Sequence, residues 1–271
     1  MTLNFVGVDY SAARQPNMYV TWGVMEQEVL RLIVTYRVAD SLELALFIRP
    51  MREADSMLWT GLDCPFSTSQ DLMCRLGAKS WRELLELAAR TPRLLFLNLL
   101  EGTRRYYEDH ERKCGTMGFC RHTDQAVKGY GVLKRINPNL GPMFHSGLQV
   151  LYTAHLLDSR IYPYDPEVGR ANLLEVYPSH TWALLGMKRS TDVGEFVRRF
   201  NARGELQVCA DDILPHVQTQ DAADSVVACV TVAACTLAYD LGATWSQRPP
   251  FANDEEWAHR ANEGLVVRLQ R

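Results

Sequence analysis

The chain has 271 residues, of which 47 % are hydrophobic and 23 % charged, and its formal net charge is -3. These values are typical of a globular protein with ample material for a core, and we expect one domain spanning residues 1–271. The slightly negative charge excludes a general electrostatic attraction of the whole surface for nucleic acid.

The amino terminus and the cysteines indicate the cellular compartment. Residues 3–8 are already strand-like, without the basic and then apolar segments of a secretory signal. The seven cysteines are an odd number, and several lie in apolar patterns, where a thiol acts as a small hydrophobic group. We therefore expect reduced thiols and a cytoplasmic location.

The first quarter of the chain predicts strands and one helix. Three segments rich in Val, Ile, Tyr and Trp, joined by short turns, predict an antiparallel meander, after which helical spacing and then a fourth strand follow. The three strands are residues 3–9, 18–25 and 29–38, the helix is 41–51, and the fourth strand is 57–63.

A mainly helical insertion is predicted at about 67–160, with helices at 81–90, 94–109 and 144–157 and a polar segment at 113–142. The remaining predicted elements are a strand at 173–176, helices at 192–201 and 222–239, and a strand at 265–269. The very apolar segment 222–239 is interrupted by Asp224, so we interpret it as a core helix and expect no membrane association.

Acidic residues recur at the ends of these apolar segments. Asp9 and Asp63 end the first and fourth strands, and Glu175 lies within a buried strand. A buried carboxylate is costly unless it is paired, hydrogen-bonded or bound to a cation. The alternatives are an Asx-turn for Asp9, a helix cap for Asp63 and an ion pair with an arginine for Glu175.

Asp221 and Asp224 lie three residues apart at the start of the predicted core helix, and they face one side of its first turn. Their alternative roles are the N-cap and the N3 residue. Because hard divalent cations prefer oxygen ligands, the recurring acids predict a shared Mg²⁺ or Mn²⁺ site.

The chain resembles the domain of unknown function 429 family, described as predicted nucleases with a ribonuclease H-like fold. The resemblance spans nearly the whole chain and depends on the order and spacing of its motifs. These are Gly7-Val8-Asp9, Gly61-Leu62-Asp63-Cys64-Pro65-Phe66, Arg121-His122-Thr123-Asp124, Glu175-Val176-Tyr177-Pro178-Ser179, Asp221-Ala222-Ala223-Asp224-Ser225 and Asn262-Glu263-Gly264-Leu265-Val266.

This resemblance implies an α/β fold with a ribonuclease H-like mixed sheet flanked by helices. By analogy it implies Asp9, Asp63 and Asp221 or Asp224 as metal ligands and catalytic residues, with Glu175 as a fourth. Arg121 and Asp124 match an Arg-x-x-Asp element that binds phosphate and orients a ligand, and an internal ion pair is the alternative. The family often has an aromatic residue after the glycine where this chain has Leu265, which leaves the role of Glu263 open.

Three further patterns in the sequence are compatible with a functional site. Residues 104–135 carry a local charge of +4 and several aromatic residues (Tyr106, Tyr107, Phe119 and Tyr130), as in a nucleic-acid-binding surface, although a solvated face is the more common meaning. His110, Cys114, Cys120 and His122 have zinc-ligand types at non-standard spacing. Cys64 and His180 are a possible nucleophile and base, with a buried thiol as the preferred interpretation.

The sequence thus predicts a phosphodiesterase that depends on Mg²⁺ or Mn²⁺ and acts on nucleic acid. A nucleotide hydrolase or phosphotransferase of the same superfold is one alternative. A non-catalytic module whose acids only cap and bridge is the other.

Overall fold

The computed structural model describes residues 2–11, 18–50, 55–110, 120–134 and 139–270, with the backbone alone for 107–110. Statements about the structure refer to these residues.

Strands of the described chain form one mixed, mostly parallel sheet in the order β5-β6-β4-β1-β2-β3-β7, and β8 pairs with β6. The pairs β1–β2 and β2–β3 are antiparallel, whereas β1–β4, β4–β6, β5–β6, β6–β8 and β3–β7 are parallel. The strands are β1 (Thr2–Asp9), β2 (Met18–Glu26), β3 (Val29–Val38), β4 (Ser56–Asp63), β5 (Arg160–Ile161), β6 (Ala171–Val176), β7 (Gln207–Cys209) and β8 (Val266–Val267).

The predicted antiparallel meander is confirmed, and a tight turn joins β2 to β3. Gln27 and Glu28 both have positive φ, 48° and 69°, between the paired residues Glu26 and Val29. Two successive residues with positive φ match the right-handed twist of a hairpin. The predicted fourth strand is also confirmed and lies parallel to β1.

Helices cover both faces of this sheet, which confirms the predicted α/β architecture with a helical insertion between β4 and β5. The insertion contains α2 (Gln70–Arg75), α3 (Trp81–Arg90), α4 (Arg93–His110), α5 (His122–Ala126) and α6 (Leu140–Leu156). The other helices are α1 (Ser41–Phe47), α7 (Pro178–Leu184), α8 (Val193–Asn201), α9 (Gln220–Ala238), α10 (Leu241–Thr244) and α11 (Asp254–Glu263).

Alternation along the central strands divides the core into two layers. Phe5 and Trp59 pack on the α9 side, whereas Val6, Val8 and Leu62 pack against the insertion helices. Since successive side chains of a strand point to opposite faces, Asp9 and Asp63 are directed to the α9 side and Glu175 to the insertion side.

Helix α9 lies directly on the backbone of β1. A Cβ atom at Gly7 would come within 2.1 Å of both the Cys229 nitrogen and the Ser225 oxygen, so this close approach requires glycine. In the same interface, the Thr21 hydroxyl lies 2.8 Å from the hydroxyls of Thr35 and Ser225. These short polar contacts connect α9 to β2 and β3 within a mainly apolar layer.

The core-helix interpretation of α9 agrees with its position. It is long and apolar enough to cross a membrane by length and composition alone, but 83 % of that window is buried within the fold. It begins two residues earlier than predicted, because Thr219 is the N-cap and its hydroxyl accepts a hydrogen bond from the Ala222 N–H at 3.1 Å. The alternative capping roles for Asp221 and Asp224 were therefore wrong.

Other predicted boundaries also shift. The helix predicted at 41–51 ends at Phe47, and the strand predicted at 265–269 pairs only over Val266–Val267. Short elements such as α2, α5, α7 and β7 were not predicted, because segments of three to seven residues offer too few apolar positions to show a period. Helix α11 was missed although Asn253 and Glu256 form a capping box at its start.

Candidate functional site

Two of the predicted acids lie side by side at the centre of the sheet. Asp9 is directly opposite Asp63 in the parallel register of β1 and β4, and both are the last residues of their strands. Asp9 is only 9 % exposed, and Asp63 is half-buried. The carboxyl ends of adjacent parallel strands are where open α/β sheets bind ligands.

The first turns of α9 bring Asp221 and Asp224 toward the same place. Asp224 is fully buried and accepts hydrogen bonds from the Trp182 indole N–H at 2.6 Å and the Gln220 amide at 3.1 Å. Its other oxygen accepts from the Arg189 guanidinium, with Nε at 2.9 Å. Asp221 is half-buried.

The acids perturb one another. Burial raises the pKa of Asp9 well above its ordinary value, and the charges of Asp63, Asp224 and Asp221 raise it further. Burial and the charge of Asp224 raise the pKa of Asp63 to about 8. The Arg189 guanidinium opposes these effects at both groups. Arg189 lies in the loop after α7, and no sequence pattern indicated its role.

Glu175 belongs to a different group of charges on the insertion side of the sheet. Arg121, 1 % exposed, contacts both Glu175 oxygens, with Nη1 at 2.7 Å from Oε2. The Phe66 N–H donates to the same carboxylate at 3.0 Å. The ion-pair alternative for Glu175 thus describes its contacts, and burial raises its pKa while Arg121 lowers it.

Arg121 also contacts Asp124, with Nε at 3.0 Å from Oδ2 and Nη2 at 2.6 Å from Oδ1. Its Nη1 further donates to the Glu263 carbonyl oxygen at 3.2 Å. These contacts engage the five guanidinium N–H donors. The internal ion pair therefore describes Arg121 and Asp124, and the arginine has no donor left for the predicted contact with phosphate.

A cavity of about 450 Å³ opens beside the aspartates. Its wall includes Asp9, Asp63 and Arg189, together with Lys134 and Tyr177. The cavity therefore places carboxylates next to three cationic side chains, and two of them, Arg121 and Lys134, come from the predicted basic segment.

Several other residues of that basic segment make local contacts with neighbouring side chains. Tyr130 is exposed and lies under the Lys134 ammonium at 3.2 Å, and Tyr106 contacts Arg75. Arg105 pairs with Glu101 on the surface of α4. The side chains of Tyr107 and Phe119 lie outside the described residues.

The structure bears differently on the two other candidate sites. Cys64 is buried, in agreement with the preferred interpretation, and burial raises the pKa of its thiol, whereas His180 Nε2 lies 3.4 Å from the Leu269 carbonyl oxygen. For the predicted zinc set, Cys114 and the side chain of His110 lie outside the described residues, and Cys120 is buried.

Ligand spacing singles out another group. In the part of the chain that the structure describes, His122, His259 and Glu263 offer three ligand atoms within 4.8 Å of one another. Among the described residues, no three of the aspartate carboxylates meet this spacing together.

No family model, curated protein or solved structure matches this chain. The resemblance to the domain of unknown function 429 family accordingly stays a prediction.

Proposed function

We propose that the chain is a metal-dependent phosphodiesterase acting on nucleic acid, with a Mg²⁺ or Mn²⁺ site at Asp9 and Asp63. The observation that carries this proposal is the pairing of these two carboxylates at the ends of β1 and β4, with the pKa of both raised. Strongly perturbed acids in a cavity are typical of functional sites. The repulsion between the charged forms of these carboxylates is relieved when a cation binds to them.

The donor set fits a hard divalent ion. Asp9 and Asp63 supply oxygen ligands on one face, and Asp221 supplies another from the first turn of α9. Asp224, whose oxygens already accept from Trp182, Gln220 and Arg189, would orient the cluster. When bound, such an ion stabilises charge on the phosphoryl group and acidifies a water molecule. Glu175, Arg121 and Asp124 have no metal contact in this proposal.

The surroundings support a phosphate-bearing substrate. Arg189 and Lys134 lie on the cavity wall, where their charges attract phosphate oxygens, and Tyr130 and Tyr177 offer aromatic rings beside them. The antiparallel meander β1–β3, the helix α1 that connects it to the next strand, and the parallel pairing of that strand, β4, with β1 support the ribonuclease H-like assignment. Together these features favour nucleic acid as the substrate class.

Calorimetric titration of Mn²⁺ tests the metal site. We expect saturable binding to the wild type and at least about tenfold weaker binding to Asp63→Asn. Asp212→Asn is the matched control, because Asp212 is exposed and pairs with Arg31 at the start of β3. Equal binding by Asp63→Asn and the wild type would exclude Asp63 as a ligand.

A substrate panel with Mn²⁺ then separates the reaction classes. Cleavage of single-stranded or duplex DNA or RNA, lost in Asp63→Asn and kept in Asp212→Asn, supports the phosphodiesterase. Hydrolysis confined to mononucleotides points to the nucleotide hydrolase. Metal and nucleic-acid binding without turnover points to the non-catalytic module.

A further inference from the structure

The group formed by His122, His259 and Glu263 lies where two helices meet. His259 and Glu263 are four residues apart on α11, so they share one face of that helix. Helix α11 ends at Glu263, followed by Gly264 with φ 77°, which turns the chain away toward β8. The third member, His122, is the first residue of α5.

The ligand atoms of these side chains lie close together, and binding of one ion by both histidines requires one imidazole to rotate out of its stack with the other. His122 Nδ1 lies 2.9 Å from Glu263 Oε2, and the imidazole rings of His122 and His259 stack with centroids 4.3 Å apart and an interplanar angle of 11°. One ligand atom from each residue lies within 4.8 Å of the other two. Both histidines are half-buried, and Glu263 is 5 % exposed.

Backbone groups fix the carboxylate. Glu263 Oε1 accepts from the Gln70 N–H at 3.1 Å, and Oε2 accepts from the His122 N–H at 3.0 Å. Hydrogen bonds of this kind orient a metal-binding carboxylate, as outer contacts do in established sites. The group therefore has a fixed oxygen ligand and two imidazoles that solvent reaches.

We propose that His122, His259 and Glu263 bind a transition-metal ion of the zinc class. Two imidazole nitrogens and one carboxylate are the ligand types that Zn²⁺ accepts, whereas Mg²⁺ prefers oxygen alone. Three protein ligands leave a fourth position, which the partial exposure of the imidazoles opens to water. The chemistry thus differs from that of the all-carboxylate group at Asp9 and Asp63.

Bound metal at this place joins separate parts of the fold. It connects α11 to α5, and through Glu263 to the start of α2. Arg121, the neighbour of His122, holds Glu175 and donates to the Glu263 carbonyl. The ion therefore stabilises the segment that forms one wall of the cavity, and this role does not depend on the proposed phosphodiesterase activity.

Zinc titration after dialysis against EDTA tests the proposal. We expect one equivalent of Zn²⁺ to bind the wild type, at least about tenfold weaker binding to His259→Ala, and unchanged binding to Asp63→Asn. Zn²⁺ should raise the Tm of the wild type and of Asp63→Asn, and leave that of His259→Ala unchanged.

Cobalt substitution is a second measurement that reports ligation directly. One equivalent of Co²⁺ should give visible d–d absorption in the wild type, and this absorption should be lost in His259→Ala. If His259→Ala folds poorly, the closer replacement His259→Asn should show the same loss. Absence of saturable Zn²⁺ binding to the wild type, or equal binding by the wild type and both His259 variants, would show that the group is only a hydrogen-bonded pair with a stacked ring. Failure of Mn²⁺ binding at Asp63 leaves these outcomes unchanged.

Discussion

Asp9 faces Asp63 across the register of β1 and β4, so two carboxylates occupy neighbouring strand ends beneath the start of α9. Burial and the nearby acids raise the pKa of both groups. A fold that is selected only for stability gains nothing from this repulsion, whereas a cation-binding site requires it.

The first prediction concerns the pH dependence of metal-free protein. Asp63 has a pKa of about 8 in the fold against an ordinary 3.8, so the folded state binds more protons between these values. Its contribution to stability is present below about pH 4 and is lost as the pH rises through about 8. Asp63→Asn should remove this loss, so that its stability relative to the wild type increases between pH 5 and pH 9.

Denaturant unfolding at several pH values with EDTA measures this difference. Each tenfold change in acidity is worth about 1.4 kcal/mol, so an increase of at least that size is expected. Asp212→Asn should follow the wild type throughout. A stability difference between Asp63→Asn and the wild type that stays constant with pH would contradict the raised pKa.

The second prediction concerns the buried ion pair of Arg121 with Glu175 and Asp124. Arg121→Met leaves two buried carboxylates without their cation, which should reduce the free energy of unfolding by about 3–5 kcal/mol. Arg105→Met is the matched control, because Arg105 is mostly exposed and its pair with Glu101 is worth under about 1 kcal/mol. Urea unfolding measures both losses. Equal losses in the two variants would show that the buried ion pair contributes no more to the free energy of unfolding than the exposed one.

The third prediction concerns the contact of β1 with α9. Gly7→Ala places a methyl group against the backbone at Ser225 and Cys229, and should destabilise the protein by about 3 kcal/mol or more. Gly102→Ala, in the middle of α4 with open space around it, should instead stabilise by about 0.5–1 kcal/mol. Thermal unfolding of both variants measures these changes. A Gly7→Ala variant with the stability of the wild type would show that α9 is free to shift away from β1.

The fourth prediction concerns Arg189, the cation beside the aspartates. Arg189→Met removes one of three hydrogen-bonding partners of buried Asp224 and should reduce the stability of metal-free protein by about 1–3 kcal/mol. Because the cluster then lacks its own positive charge, added Mn²⁺ should raise the Tm of Arg189→Met more than that of the wild type. A smaller rise in the variant would mean that Arg189 supports metal binding.

The central architecture was predictable because long strands and helices show their period in the sequence. The meander, β4, α3 and α9 were predicted on this basis, and the strand ends correctly pointed to Asp9 and Asp63 as neighbours. For Glu175 the sequence predicted a metal ligand and left an ion pair with an unspecified arginine as the alternative, because 54 residues separate it from Arg121 and a single sequence carries no information on such pairings.

Arg189 and His259 show more clearly what could not be predicted from the sequence. Each lies in a segment with no strong pattern, and its role becomes visible only when the fold brings a residue distant in sequence beside it, Asp224 for Arg189 and His122 for His259. The predicted zinc set contained His122 but joined it to sequence neighbours, whereas the fold pairs it with Glu263, 141 residues away. Spatial proximity, and not spacing along the chain, decides which side chains meet.

The hydroxyl contacts from Ser225 through Thr21 to Thr35 have a consequence for the aspartates. Apolar surfaces alone permit a helix to slide or rotate on a sheet at little cost, but these directional bonds hold α9 at a single height above β2 and β3. Ser225 directly follows Asp224, so the same bonds determine where the acids of α9 stand relative to the strand ends. Three uncharged side chains outside the cavity thereby set the geometry of its charged groups.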